Sequence, residues 1–111
     1  MADIIKQLDA FSEKYDLWKL ALSYGLTSLK NHFQDEPREC SDHFGEHTLE
    51  DIQFLRLKQQ LTFNNGKEAT FILQTFYSLV IEKGETNINY GYYSLDVDSN
   101  GEIIDDWLVF K

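Results

Sequence analysis

Apolar residues at the start of the chain recur at steps of three and four: Ile4, Ile5, Leu8 and Phe11, then Leu17, Trp18, Ala21, Leu22, Leu29 and Phe33. That is the period of a helix with one apolar stripe. It predicts two helices within residues 1–33, joined near Lys14 to Asp16, with Asp16 capping the second. One bent helix is the alternative, and Gly25 weakens the second run. Further on the period falls to two. Leu55, Leu57, Leu61 and Phe63 alternate with Arg56, Lys58, Gln60 and Thr62, the pattern of a half-buried strand. Asn64, Asn65 and Gly66 read as a turn. Thr70 to Ile81 is rich in β-branched and aromatic residues with apolar groups at both parities, which predicts a central strand covered on two sides.

A second turn is expected at Lys83, Gly84 and Glu85. Ile88 to Val97 and Ile103 to Phe110 then form a last pair of strands around Asp98, Ser99, Asn100 and Gly101. Residues 34–48 hold the only proline, Pro37, together with Gly45 and a dense run of acids, and read as a loop. Thr48 with Asp51 three residues later has the form of a capping arrangement, so a third short helix before the first strand is the alternative there. The expected fold is α+β, a single domain over residues 1–111: two N-terminal helices (1–33), an acidic loop (34–48), and a four-stranded antiparallel β-meander (49–111) with the helices packed on one face.

Charge adds a second pattern. The chain carries 19 Asp and Glu against 10 Lys and Arg, a net charge of -9. The excess is bunched: Asp35, Glu36, Glu39, Asp42, Glu46, Glu50 and Asp51 face Arg38 alone. Toward the end, Glu85, Asp96, Asp98, Glu102, Asp105 and Asp106 face only Lys111. Solvated loops account for such runs in many acidic proteins. The functional alternative is a surface that meets a basic protein, through Asp35, Glu36, Glu39, Asp42 and Glu46 and through Asp98, Glu102, Asp105 and Asp106. The same sign argues against nucleic acid as a direct ligand, because phosphate binding needs a Lys and Arg footprint. The opening Met-Ala-Asp-Ile-Ile-Lys has neither the basic start nor the apolar run of a signal peptide, and no stretch has the roughly 20 apolar residues of a membrane span. With a single cysteine, Cys40, the chain is expected to be cytoplasmic.

Few residues carry chemistry. His32, Cys40, His43 and His47 fall close together with a spacing that zinc could use, yet the lone cysteine has no CxxC partner, and polar loop residues explain the cluster as well. No cofactor is expected. Cys40 as a nucleophile would need an electropositive setting, whereas Glu39 and Asp42 flank it. Asp96-Val-Asp98-Ser-Asn100-Gly101 matches half of a calcium loop, but Trp107 stands where the bidentate glutamate should be. Asp105 and Asp106 point to opposite faces of a strand, so one of them is available to face inward as a general acid or base. Tyr90, Tyr92 and Tyr93 serve either packing or binding.

In size, acidity and helix-then-meander order, the chain resembles small bacterial immunity and inhibitor proteins. That resemblance implies a non-enzymatic binding protein that occludes the active site of a basic partner, such as a nuclease toxin or another nucleic-acid-processing enzyme. Tyr92 to Phe110, with its Asp- and Gly-containing turn and closing Asp-Trp, is also similar to the last segment of cone-shaped proteins like nuclear transport factor 2, which implies a small-ligand or enzyme domain. A structural or adaptor subunit pairing through a strand edge is the third reading.

Overall fold

The computed structural model of the chain describes residues 2–63 and 71–111. Helices α1 (Ala2–Tyr15), α2 (Leu17–Asp35) and α3 (Pro37–Phe44) and a 3-10 turn, Leu49–Asp51, precede strands β1 (Gln53–Phe63), β2 (Phe71–Lys83), β3 (Thr86–Asp98) and β4 (Ile103–Phe110). The strands pair antiparallel in chain order, a four-stranded meander with α2 along one face. The turn expected at Asn64, Asn65 and Gly66 lies outside the described residues, as do the side chains of Ile4 and Ile5.

Leu17, Ala21, Gly25 and Leu29 make the buried seam of α2, one residue per turn. Leu17 and Ala21 pack with Leu73, Tyr77, Tyr93, Leu95 and Val97 of the sheet. Gly25, which lowers the intrinsic stability of the helix, is where α2 comes closest to the strands. A Cβ there would lie 2.7 Å from Phe54 Cε2 and 2.9 Å from Tyr93 Cδ2. The Tyr77 hydroxyl donates to the Trp18 carbonyl at 2.7 Å, and Gln59 donates to Ser12 Oγ at 2.9 Å, so both long helices are tied to the sheet by hydrogen bonds as well as by packing.

Asp16 does separate α1 from α2, but not by capping. Its backbone is left-handed (φ 49°) and its side chain makes no capping hydrogen bond. Asp tolerates this conformation better than most residues, and here the residue contributes a bend.

The stretch read as an acidic loop is corrected. Residues 37–44 are helix α3, with Pro37 in its first turn, where a missing N–H costs nothing, and Glu39 near its positive end. Cys40 and Phe44, four residues apart, form its buried stripe against Leu29, Ile52, Leu79 and Ile81. Gly45 at φ 63° ends it. Two apolar residues in a run of acids are enough to hold a two-turn helix when a core stands ready for them. The Thr48 arrangement is a capping box on the 3-10 turn: the Thr48 N–H donates to Asp51 Oδ2 at 2.9 Å, and this bond holds the Asp51 carboxyl below its ordinary range.

In β1 the alternation is broken. Arg56 stands opposite Tyr77 and Lys58 opposite Phe76, so Leu57 between them has no partner and forms a bulge. Phe54 and Arg56 before it, and Gln59 and Leu61 after it, face the helices. Leu55, Leu57 and Phe63, three of the four residues that the period-two pattern would bury, are exposed. The central strand β2 is also corrected in one respect. Helices cover one of its faces only, and on the other its side chains are shielded by their neighbours: Phe76 packs against Tyr92 at 5.8 Å between centroids and lies under the Lys58 ammonium at 4.9 Å.

Candidate functional site

The first acidic group and the turn of Asp98 and Glu102 occupy opposite ends of α2, with Asp106 between them beside Ser28. Asp35 ends α2, Glu36 joins it to α3, Glu39 and Asp42 lie on α3 and Glu46 follows it; all five are exposed. This corner packs on the far end of β4, where the Phe110 ring lies 5.0 Å from His32, 5.1 Å from His43 and 5.1 Å from Phe44. The turn holding Asp98 and Glu102 sits at the other end of α2, with Gly101 against the Tyr15 ring. Carboxylates of the first group therefore share one surface, and those of the second do not join it.

Members of the second group are also engaged. Asp98 Oδ1 accepts from the backbone N–H groups of Asn100 at 2.9 Å and Glu102 at 3.0 Å, which is turn chemistry and accounts for the half calcium motif. Asp105 faces away from the helices and accepts the Asp106 N–H at 2.8 Å. Asp106 faces them, and its Oδ2 accepts from Tyr93 Oη at 2.9 Å and Ser28 Oγ at 3.2 Å. Burial of Tyr93, and then this carboxylate, push the phenol far above its usual pKa.

The histidines and the cysteine do not converge. Glu39 Oε1 lies 3.7 Å from His32 Nε2 and 3.9 Å from His43 Nε2, but His47 turns to Asp51 at 3.5 Å and Cys40 points into the core. Among the described residues no three His, Cys, Asp or Glu side chains are grouped to hold a metal ion. Burial, then Glu39 and Glu36, raise the Cys40 thiol, so a thiolate is disfavoured where a nucleophile would need one.

Three features escape sequence reasoning. Asp9, Glu13 and Asp16 rim a cleft of about 300 Å³ with Trp18, Arg56 and Gln59. The four-residue step from Asp9 to Glu13 was the available signal, hidden by the neutral total of the first 33 residues. Arg56 already lies over the Trp18 ring, 5.1 Å from its centroid. Asp96 is nearly buried on the face of the sheet away from the helices. Burial raises its pKa, against the hydrogen bond from Gln74 and the nearby Trp107 side chain, and Asp105 and Asp106 add to the rise. Trp107, beside it, is 52% exposed. Asp105 and Asp106 line neither this cleft nor the smaller one of about 230 Å³ beside Leu8, Leu61 and Leu73.

Among the described residues no helix is long and apolar enough to cross a membrane. Comparison with known proteins returns no match to the chain from any family model, any curated protein or any solved structure.

Proposed function

We propose that the protein is a non-enzymatic, acidic binding module that neutralises a basic macromolecular partner, acting in the cytoplasm as small immunity and inhibitor proteins do. The observation that supports this is helix α3. Its Cys40 and Phe44 are locked into the core, which fixes Asp35, Glu36, Glu39, Asp42 and Glu46 on one exposed corner with Arg38 as the neighbouring cation. A preorganised acidic surface loses less entropy on binding than the same residues in a loop, and its field steers a basic partner into contact. Inhibition follows from occlusion: carboxylates take the positions that phosphates would occupy in the cleft of a nucleic-acid-processing enzyme, such as a nuclease toxin.

The test is co-purification from the native host at low and high salt. A basic partner held at low salt and released at high salt is expected; no partner at either salt refutes the proposal. Replacing Asp35, Glu36, Glu39 and Asp42 together by lysine should then slow association far more than it speeds dissociation, as stopped-flow mixing would show. Unchanged kinetics would leave α3 as a solvated helix with no part in binding.

A further inference from the structure

The sheet face turned away from the helices is bare among the described residues. Across it Lys58, Phe76, Ser94 and Trp107 stand opposite one another in one row, and Gln74, Asp96 and Asp105 in the next. Ser94 is only 1% exposed, so it forms a low floor between the larger Phe76 and Trp107. Asp96 and Asp105 are direct cross-strand partners of like charge, an arrangement that disfavours the sheet unless a cation comes between them. Lys58, the cation in these rows, is held over the Phe76 ring on the neighbouring strand, two strands from Asp96, and Arg56 is on the opposite face over Trp18.

We infer that this outer face is a second docking surface, for an extended protein segment that places an arginine on the Trp107 indole against Asp96 and Asp105 and an apolar residue over Tyr92, beside the Phe76 ring that Lys58 already covers. A guanidinium is planar and weakly hydrated, so it stacks on an indole while its N–H fork reaches carboxylates. Exposed aromatic area beside a buried charge is the composition of an interface centre, where an exposed acidic helix supplies mainly steering. Charge selects the occupant. A second copy laid face to face would bring its own Asp96 and Asp105 onto a surface of the same sign, and each copy carries a net charge of -9. An arginine-bearing segment relieves the opposition that a second copy would increase.

The inference is independent of the α3 proposal and is tested with the whole chain. The probe is a seven-residue peptide, Thr-Ile-Thr-Arg-Thr-Ile-Thr, whose isoleucines and arginine share one face when extended, followed by NMR titration. Expected are shifts centred on Tyr92, Ser94 and the Trp107 indole N–H, and a loss of affinity of about fivefold or more in each of Trp107→Ala and Asp105→Asn. Both side chains are exposed, so both variants should fold, and an unchanged amide spectrum elsewhere checks this. Glu85→Lys, in the exposed turn between β2 and β3, should bind the peptide as the unaltered chain does. Equal binding of a peptide with glutamate in place of arginine overturns the inference. So do shifts confined to α3, or movement of the same Trp107 signal on simple dilution, which would assign the face to a second copy.

Discussion

The Tyr93 hydroxyl donates to Asp106 Oδ2 across 2.9 Å, and the same oxygen takes the Ser28 hydroxyl, so one exposed carboxylate joins α2, β3 and the edge strand β4. The buried end of this link is a phenol with no exposure at all.

Removing that hydroxyl in Tyr93→Phe should cost about 1.5–3 kcal/mol, the range for a hydrogen bond to a charged acceptor, measured by urea unfolding at pH 7. The pH dependence follows from the raised phenol. The folded chain holds this proton where the unfolded chain, with an ordinary tyrosine pKa of about 10, gives it up. The contribution is complete below pH 10 and falls as pH rises beyond it, so alkaline unfolding should move to higher pH in Tyr93→Phe once the two proteins are compared at equal neutral stability.

Gly25→Ala tests the close approach of α2. Alanine returns about 1 kcal/mol of helix propensity, but its methyl group meets Phe54 and the fully buried Tyr93, and overpacking costs about 1–3 kcal/mol. A lowered melting temperature is expected. A raised one would mean that the helix can lift from the sheet at no cost.

Asp96→Asn should stabilise the chain at neutral pH. A raised carboxyl pKa means that the folded state favours the protonated form, so the charge opposes folding above that pKa and ceases to do so as pH falls through it. The difference in melting temperature between variant and parent should therefore shrink on acidification. Asparagine can still accept from Gln74, and a gap that is flat with pH would assign the effect to something other than charge.

Deletion of single residues separates the bulge from the ladder. Without Leu57, Arg56 and Lys58 become neighbours and keep their partners Tyr77 and Phe76, so the deletion should leave the sheet intact. Deleting Leu55 shifts Gln53 and Phe54 by one and turns Phe54 away from α2. That should cost on the order of 2 kcal/mol by loss of apolar burial, read as a lower urea midpoint.

Much of this architecture was legible in residue order, for identifiable reasons. Helix and strand periods differ, and the Asn100–Gly101 pair marks its turn chemically. Leu55 and Leu57 misled because a bulge inverts the parity of everything beyond it, and nothing in the side chains of β1 announces the unpaired residue. Helix α3 was hidden by its own surface: its helical signal is only Cys40 and Phe44, and their burial depends on Leu29, Leu79 and Ile81, which are distant in sequence. The acidic groups could be counted but not placed, since their separation is set by the length of α2. Asp96 with Asp105, and Ser94 with Trp107, could not be paired before the β3–β4 register was known.

That length has an electrostatic consequence. Nineteen residues of helix, at 1.5 Å each, put the α3 corner roughly 28 Å from the Asp98 turn, more than three screening lengths at physiological salt, where the Debye length is about 8 Å. The two ends act as separate poles, and a partner bound at one is nearly blind to the charge at the other. Ionic-strength dependence of binding should thus report a local count of carboxylates, well short of the full -9.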